Sequence, residues 1–138
     1  MDKYVIPEEI IRKTLETPLS PKKEMLEPLN TYANENGLPF KILNHPEQFG
    51  DAEVHLTEGD EWEVIEGTVE FVVGGRLPDS AWEVQQDGIS NPNELRAKEI
   101  EGGSRSILQA GQRLWVPPGV PHMHRGRGRS WITKIPKK

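Results

Sequence analysis

His122 and His124 stand two residues apart at the end of GQRLWVPPGVPHMH, Gly111 to His124, just past a turn that no sheet ladder can run through. Proline lacks the N–H and fixes φ at about −65°, and Pro117, Pro118 and Pro121 surround Gly119. The strand RLWV must therefore turn, and the chain leaving the turn presents two imidazoles with the period-2 spacing of one strand face. An imidazole so placed is a metal ligand, a general base or a core residue. The groups that decide among these lie upstream, in AEVHLTEGDEWEV. Alternation that turns Trp62 and Val64 inward turns Asp60 inward too, and carried across a turn at Gly59 it places Thr57, His55 and Glu53 on the same face. Glu53, His55 and Asp60 are then three possible metal ligands on one interior. Taken alone, the stretch reads better as an exposed hairpin tip with solvated acids, and Asp60 in EGDE suits an Asx turn.

Groups of this kind need elements to hold them, and the grammar of the chain changes at Gly37. Residues 1–37 read as a helical N-terminal extension in two pieces. PEEIIRKTLE opens on Pro7 with early acids and later bases, and PKKEMLEPLNTYANENG is interrupted by Pro28 and stopped by Gly37. Residues 38–138 read as a barrel domain. FKIL, AEVHLTE, EWEVIEG, TVEFVVGG, RSILQAG, RLWVPPG, HMHRG and SWITKI are short, β-branched and aromatic, and divided by Gly, Pro, Asn and Asp. About eight strands in roughly 100 residues give an all-β sandwich or barrel with the helices packed outside. The polar connection over residues 75–104 shows no period, and its length predicts a protease-sensitive cover over the barrel mouth.

Composition narrows the chemistry. A chain of 138 residues is the size of one domain. It contains no cysteine, so thiol nucleophiles, disulfides and zinc ribbons are excluded, and a metal has only His and carboxylate to sit on. The formal net charge of −5 disfavours nucleic acid as a partner. RGRGR at 125–129 is a local basic exception, read as a solvated loop beside the last strand. No apolar run resembles a signal peptide or approaches a membrane span, which predicts a cytoplasmic protein without a membrane partner.

The remaining candidates carry two readings each. His124 is a general base, a support for the ligands, or a surface histidine, and His45 in LNHPEQ reads as a loop residue. Trp62, Phe71 and Trp115 read as barrel-core aromatics. Arg105 and Arg113 either clamp a substrate carboxylate or lie exposed on strands.

The spacing from Gly111 to His122, G, five residues, P, one residue, G, two residues, H, resembles the second motif of the cupin family. The family's first motif reads H, one residue, H, three or four residues, E, six residues, G. Gly67 and His55 match it here, with Asp60 at the glutamate and Glu53 at the first histidine. The family's asparagine after the second motif is replaced by Gly126. The resemblance covers about residues 50 to 134. It implies a double-stranded β-helix, the jelly-roll cupin barrel, with Glu53, His55, Asp60 and His122 around a divalent Fe, Mn, Ni, Co or Zn ion. The activity implied is that of a metal-dependent enzyme on an oxygen-rich small substrate: a dioxygenase, an isomerase or epimerase, or a lyase, with His124 or Glu53 moving the proton. The alternative it leaves is a non-catalytic module that binds or senses a small ligand. A homodimer is a further implication.

Overall fold

The computed structural model describes residues 4–138. Helix α1, Glu8–Leu15, follows Pro7 and carries Glu8 and Glu9 in its first turn and Arg12 and Lys13 in its last, the distribution that suits a helix dipole. The second helix is shorter than its sequence suggests. Residues before Pro28 are extended, and strand β1, Glu24–Met25, pairs antiparallel with β2, Phe40–Asn44; helix α2 covers only Leu29–Asn36. Proline cannot stand inside a helix, so the segment ahead of it takes its hydrogen bonds from the edge of β2. This buries Leu26 with Leu29 and Ile42, against Ile10, Ile11, Phe40 and Trp131, and the helices thus cover the outer face of β2.

The rest of the chain is antiparallel sheet: β3 Ala52–His55, β4 Glu58–Val73, β5 Trp82–Gln86, β6 Ile89–Ala97, β7 Ser104–Gln109, β8 Arg113–Val116 and β9 His122–Pro136. Strands β4 and β9 pair along their whole lengths, from Glu58 opposite Pro136 to Val73 opposite His122. Each fuses two stretches that read as separate strands, and RGRGR lies within β9 instead of in a loop. The glycines that look like breaks are points of close approach. Gly67 has φ +81°, and a Cβ there would lie 2.0 Å from the Arg127 carbonyl oxygen. The register of the pair shifts between Val64 and Glu66, where the long strands bend.

Alternation along β2, β4, β7, β8 and β9 points Leu43, Trp62, Val64, Val69, Phe71, Leu108, Val116 and Ile132 into one buried cluster. Each such side chain contributes about 1.5–3 kcal/mol, against about 0–1 kcal/mol for an exposed ion pair, so this cluster carries the barrel's stability. Trp115 is not part of it. It is 48% exposed, because Val116 takes the inward position on β8, and its ring lies over Gly59, where a Cβ would meet it at 2.3 Å.

The polar connection is also more ordered than its composition suggests. It contains the hairpin β5–β6, turned at Asp87 (φ +53°) and Gly88 (φ +77°), and β6 joins the main sheet against β3. Among the described residues, no helix is long and apolar enough to cross a membrane.

Candidate functional site

Three adjacent strands bring the chemistry together by register alone. On one row Arg96 of β6 lies opposite Glu53 of β3, which lies opposite His122 of β9; on the next, Glu94 lies opposite His55. Asp60 arrives from β4 two residues before the buried Trp62, as alternation requires. The chain reverses between β3 and β4 at Leu56 and Thr57, not at Gly59. Thr57 is therefore exposed and stands apart from the cluster, and Asp60 is a strand residue, not an Asx turn. The proline turn does the rest: Gly119 has φ +82°, its N–H donates to the His55 carbonyl at 2.8 Å, and His122 follows directly into β9.

Four atoms face one another. His55 Nε2 lies 3.3 Å from Glu53 Oε2 and 3.7 Å from Asp60 Oδ2, and His122 Nε2 lies 3.3 Å from Asp60 Oδ2. Glu53, His55 and His122 have donor atoms close enough together to share one ion. The backs of these groups are fixed. His55 Nδ1–H donates to Glu94 at 3.0 Å and His122 Nδ1–H to the Val120 carbonyl at 3.3 Å, so both Nε2 atoms are left toward the centre. The second oxygen of each carboxylate is taken by a lysine, Glu53 Oε1 by Lys23 at 2.9 Å and Asp60 Oδ1 by Lys134 at 2.7 Å.

The centre itself is unsatisfied. His55 Nε2 and Asp60 Oδ2 are buried without a hydrogen-bond partner, a costly arrangement for polar atoms out of water. Lone pairs on two imidazoles and two carboxylates point at one another, and only a cation relieves that: a proton shared within the cluster, or a metal ion. Burial opposes charging His55, but the contact with the Glu53 carboxylate at 3.3 Å and the nearby Asp60 charge outweigh it and raise its pKa. Burial likewise opposes ionisation of Glu53 and Asp60, yet contacts with His55 and Lys23, and with His122 and Lys134, hold both below their usual values.

His124 points to the same interior but belongs to a different setting. It is buried against Trp62 and Phe71, and its Nδ1 lies 2.8 Å from Nδ1 of His45, whose Nε2 lies 2.6 Å from Ser130 Oγ. His45 lies in the loop directly after β2, as expected, but is fully buried there. Burial depresses both: the pKa of His45 falls to about 3, with Lys23 adding to the effect, and that of His124 falls well below the ordinary value, with His45 adding to it. Arg105 and Arg113 lie on the outer surface, paired with Glu70 and with Glu61 and Glu63.

A cavity of about 200 Å³ opens beside the cluster, with Lys23, Glu94, Arg96 and Lys134 on its wall. None of these four stands out in the sequence as a site residue. Lys134 shares its strand face with the buried Ile132, a signal present in SWITKI. The other three depend on the pairings of β1 and β6, for which the only local sign is the Asp87-Gly88 turn.

No family model and no curated protein matches the sequence. Solved structures do. Escherichia coli YcfD superposes with a TM-score of 0.53 at 17% identity, over 72% of this chain and 25% of that one. The same ribosomal oxygenase in complex with cobalt and 2-oxoglutarate superposes with a TM-score of 0.50 at 17% identity, over 82% of this chain and 29% of that one. Hydroquinone 1,2-dioxygenase from Sphingomonas sp. TTNP3, with 4-hydroxybenzoate bound, gives a TM-score of 0.47 at 12% identity, over 72% of this chain and 61% of that one. The chain spans about a quarter of the length of YcfD. Its fold is that of the cupin superfamily, an all-β jelly-roll barrel with a short helical N-terminal extension.

Proposed function

We propose that the protein is a metal-dependent cupin enzyme acting on an oxygen-rich small molecule, with Glu53, His55, Asp60 and His122 as the ion's ligands. The observation that carries this reading is the convergence of two Nε2 atoms and two carboxylate oxygens, with His55 Nε2 and Asp60 Oδ2 buried and unpartnered. The donor set fits a divalent first-row ion, and its two carboxylates tilt it toward the harder members, Mn and Fe, over Ni, Co and Zn. Such an ion, when bound, polarises a coordinated oxygen and acidifies neighbouring protons or activates O₂. That YcfD, a protein of similar fold, has been seen in complex with cobalt supports a metal in this reading.

The chain's own residues have separable parts in this proposal. Glu94 and the Val120 carbonyl hold the tautomers of His55 and His122. Lys23 and Lys134 fix the carboxylates so that one oxygen of each faces inward. Glu53, at the edge of the cluster, serves as ligand or proton acceptor. His124 borders the cavity as a second proton carrier, joined through His45 to Ser130. Residues 1–37 are assigned as an extension that supplies Lys23, and residues 38–138 as the barrel. A dioxygenase, an isomerase or epimerase, and a lyase all fit this site, and in the cytoplasmic homodimer we envisage each barrel has its own ligands.

One observation favours a second reading. The ion pairs of Lys23 with Glu53 and Lys134 with Asp60 already neutralise both carboxylates, as a metal-free pocket that only binds a small ligand would require. Metal analysis followed by anaerobic reconstitution with Fe(II), Mn(II), Co(II), Ni(II) and Zn(II) separates the two. It is followed by turnover of diketones, hydroxy acids and sugars with O₂ uptake recorded. The enzyme reading expects about one ion per chain and turnover that depends on it. Absence of binding by all five ions would leave the binding module.

A further inference from the structure

The sequence has eight arginines, and seven of them form an ion pair with a carboxylate: Arg12, Arg76, Arg105, Arg113, Arg125, Arg127 and Arg129. Arg96 forms none among the described residues. Its Nε is buried without a hydrogen-bond partner, and its side chain lies on the wall of the cavity beside the candidate metal cluster. The isolation follows from how the sheet is paired. Arg96 sits directly opposite Glu53, the carboxylate that would ordinarily receive it. Both oxygens of Glu53 are engaged elsewhere, Oε1 by Lys23 and Oε2 at His55. Asp60 Oδ1 is held by Lys134 and Glu94 Oε1 by His55. Each carboxylate on the cavity wall thus has another partner, and one guanidinium is left without an ion pair.

A second donor on the same wall shares this condition. Trp62 lines the cavity, and its indole N–H is buried without an acceptor. Unpaired buried donors cost free energy that an incoming acceptor returns. Guanidinium geometry matches a carboxylate through two parallel N–H···O bonds. The cavity, about 200 Å³, is smaller than the pockets that hold drug-sized ligands, and a neighbouring cleft of about 350 Å³ shares Lys23, Glu53, Arg96 and His124 with it. The space therefore suits a ligand of a few heavy atoms that carries acceptors and negative charge.

We propose that Arg96 is the anchor for the carboxylate of a small organic acid, which lies in this cavity with its other oxygen-bearing end toward the Glu53, His55, Asp60 and His122 cluster. Arg96 determines which substrates bind, and it takes no part in holding the ion. The proposal rests on the reading of the cluster as the reactive end only for the direction in which the acid lies; the anchor itself needs no metal.

The test uses malonate, a small acid with a carboxylate at each end, and malonamide, its uncharged counterpart, in calorimetric titrations of the full chain. Wild type, Arg96→Gln, Arg96→Lys and the surface variant Arg113→Gln are each titrated with and without Mn(II), and Mn(II) affinity is measured separately. Malonate should bind wild type and Arg113→Gln alike, at least tenfold more weakly to Arg96→Gln, and to an intermediate degree to Arg96→Lys. Malonamide should bind none of them measurably. Mn(II) affinity should be the same in Arg96→Gln as in wild type. Equal malonate affinity in wild type and Arg96→Gln, or malonamide binding as well as malonate, overturns the anchor while leaving the metal reading intact. Loss of Mn(II) binding in every variant with malonate binding still dependent on Arg96 overturns the metal reading and leaves the anchor.

Discussion

Two pairs of histidines lie inside one barrel, and their neighbours give them opposite characters. His45 and His124 are packed among Trp62 and Phe71, joined through their Nδ1 atoms, and continued to Ser130. Burial depresses the pKa of both, so both remain neutral. His55 and His122 have rings 5.2 Å apart, and their surroundings are carboxylates, not aromatic rings. There the pKa of His55 rises and polar atoms go unpaired. The lesson is that an inward-facing histidine is no signature in itself. A pair satisfied among aromatic rings is depressed and quiet, and a pair among acids keeps unpaired polar atoms.

The contrast can be broken most directly through stability. His45→Ala removes a fully buried ring and leaves both His124 and Ser130 without their partner. It should cost about 3 kcal/mol in urea unfolding of the metal-free protein. His55→Ala should cost under about 1 kcal/mol, since it removes a group from an unsatisfied site. Equal losses would erase the distinction. A smaller effect sharpens it from the other side. Glu94→Gln removes the charge that orients His55 and should weaken divalent-ion binding about 10- to 100-fold, with the melting temperature little changed. Unchanged affinity would show that the hydrogen bond at 3.0 Å does not set the tautomer.

The pH dependence of folding should come in part from the quiet pair. The pKa of His45 lies at about 3 in the folded chain, below its unfolded value of about 6.5, so between the two the unfolded state binds the extra proton. The stability is whole above about pH 6.5 and is lost as pH falls through about 3, at no more than about 1.4 kcal/mol per unit. Unfolding free energies at pH 7 and pH 5 should therefore differ more in wild type than in His45→Gln. Identical differences would mean that His45 is protonated in the folded state. The smallest effect belongs to the exposed face: Arg113→Ala should alter stability by less than about 0.5 kcal/mol, because its partners Glu61 and Glu63 remain solvated.

Much of this arrangement was legible in the chain because strand chemistry is local. Alternation from Trp62 and Val64 put Asp60 inside, and the proline turn placed His122; the motif spacing that marks a cupin barrel carried the fold. What stayed hidden was set by distant pairing. Lys23 reaches Glu53 because β1 joins β2, and Arg96 faces Glu53 because β6 joins β3. No local pattern announces either contact. His45 read as a loop residue since His-Pro resembles a turn, although the partner that buries it, His124, lies 79 residues later. Trp115 misled for the opposite reason. Aromatic residues are common in cores, but alternation from Val116 already points it outward.

The account turns on whether the unsatisfied pair and its acids hold an ion. The direct measurement is the Fe(II) and Mn(II) affinity of wild type, His122→Ala and His45→Ala, prepared anaerobically, with thermal melts to confirm that each is folded. The account predicts about one ion per chain in wild type, retention of that ion in folded His45→Ala, and at least a 100-fold loss in His122→Ala. Full occupancy in His122→Ala would contradict it.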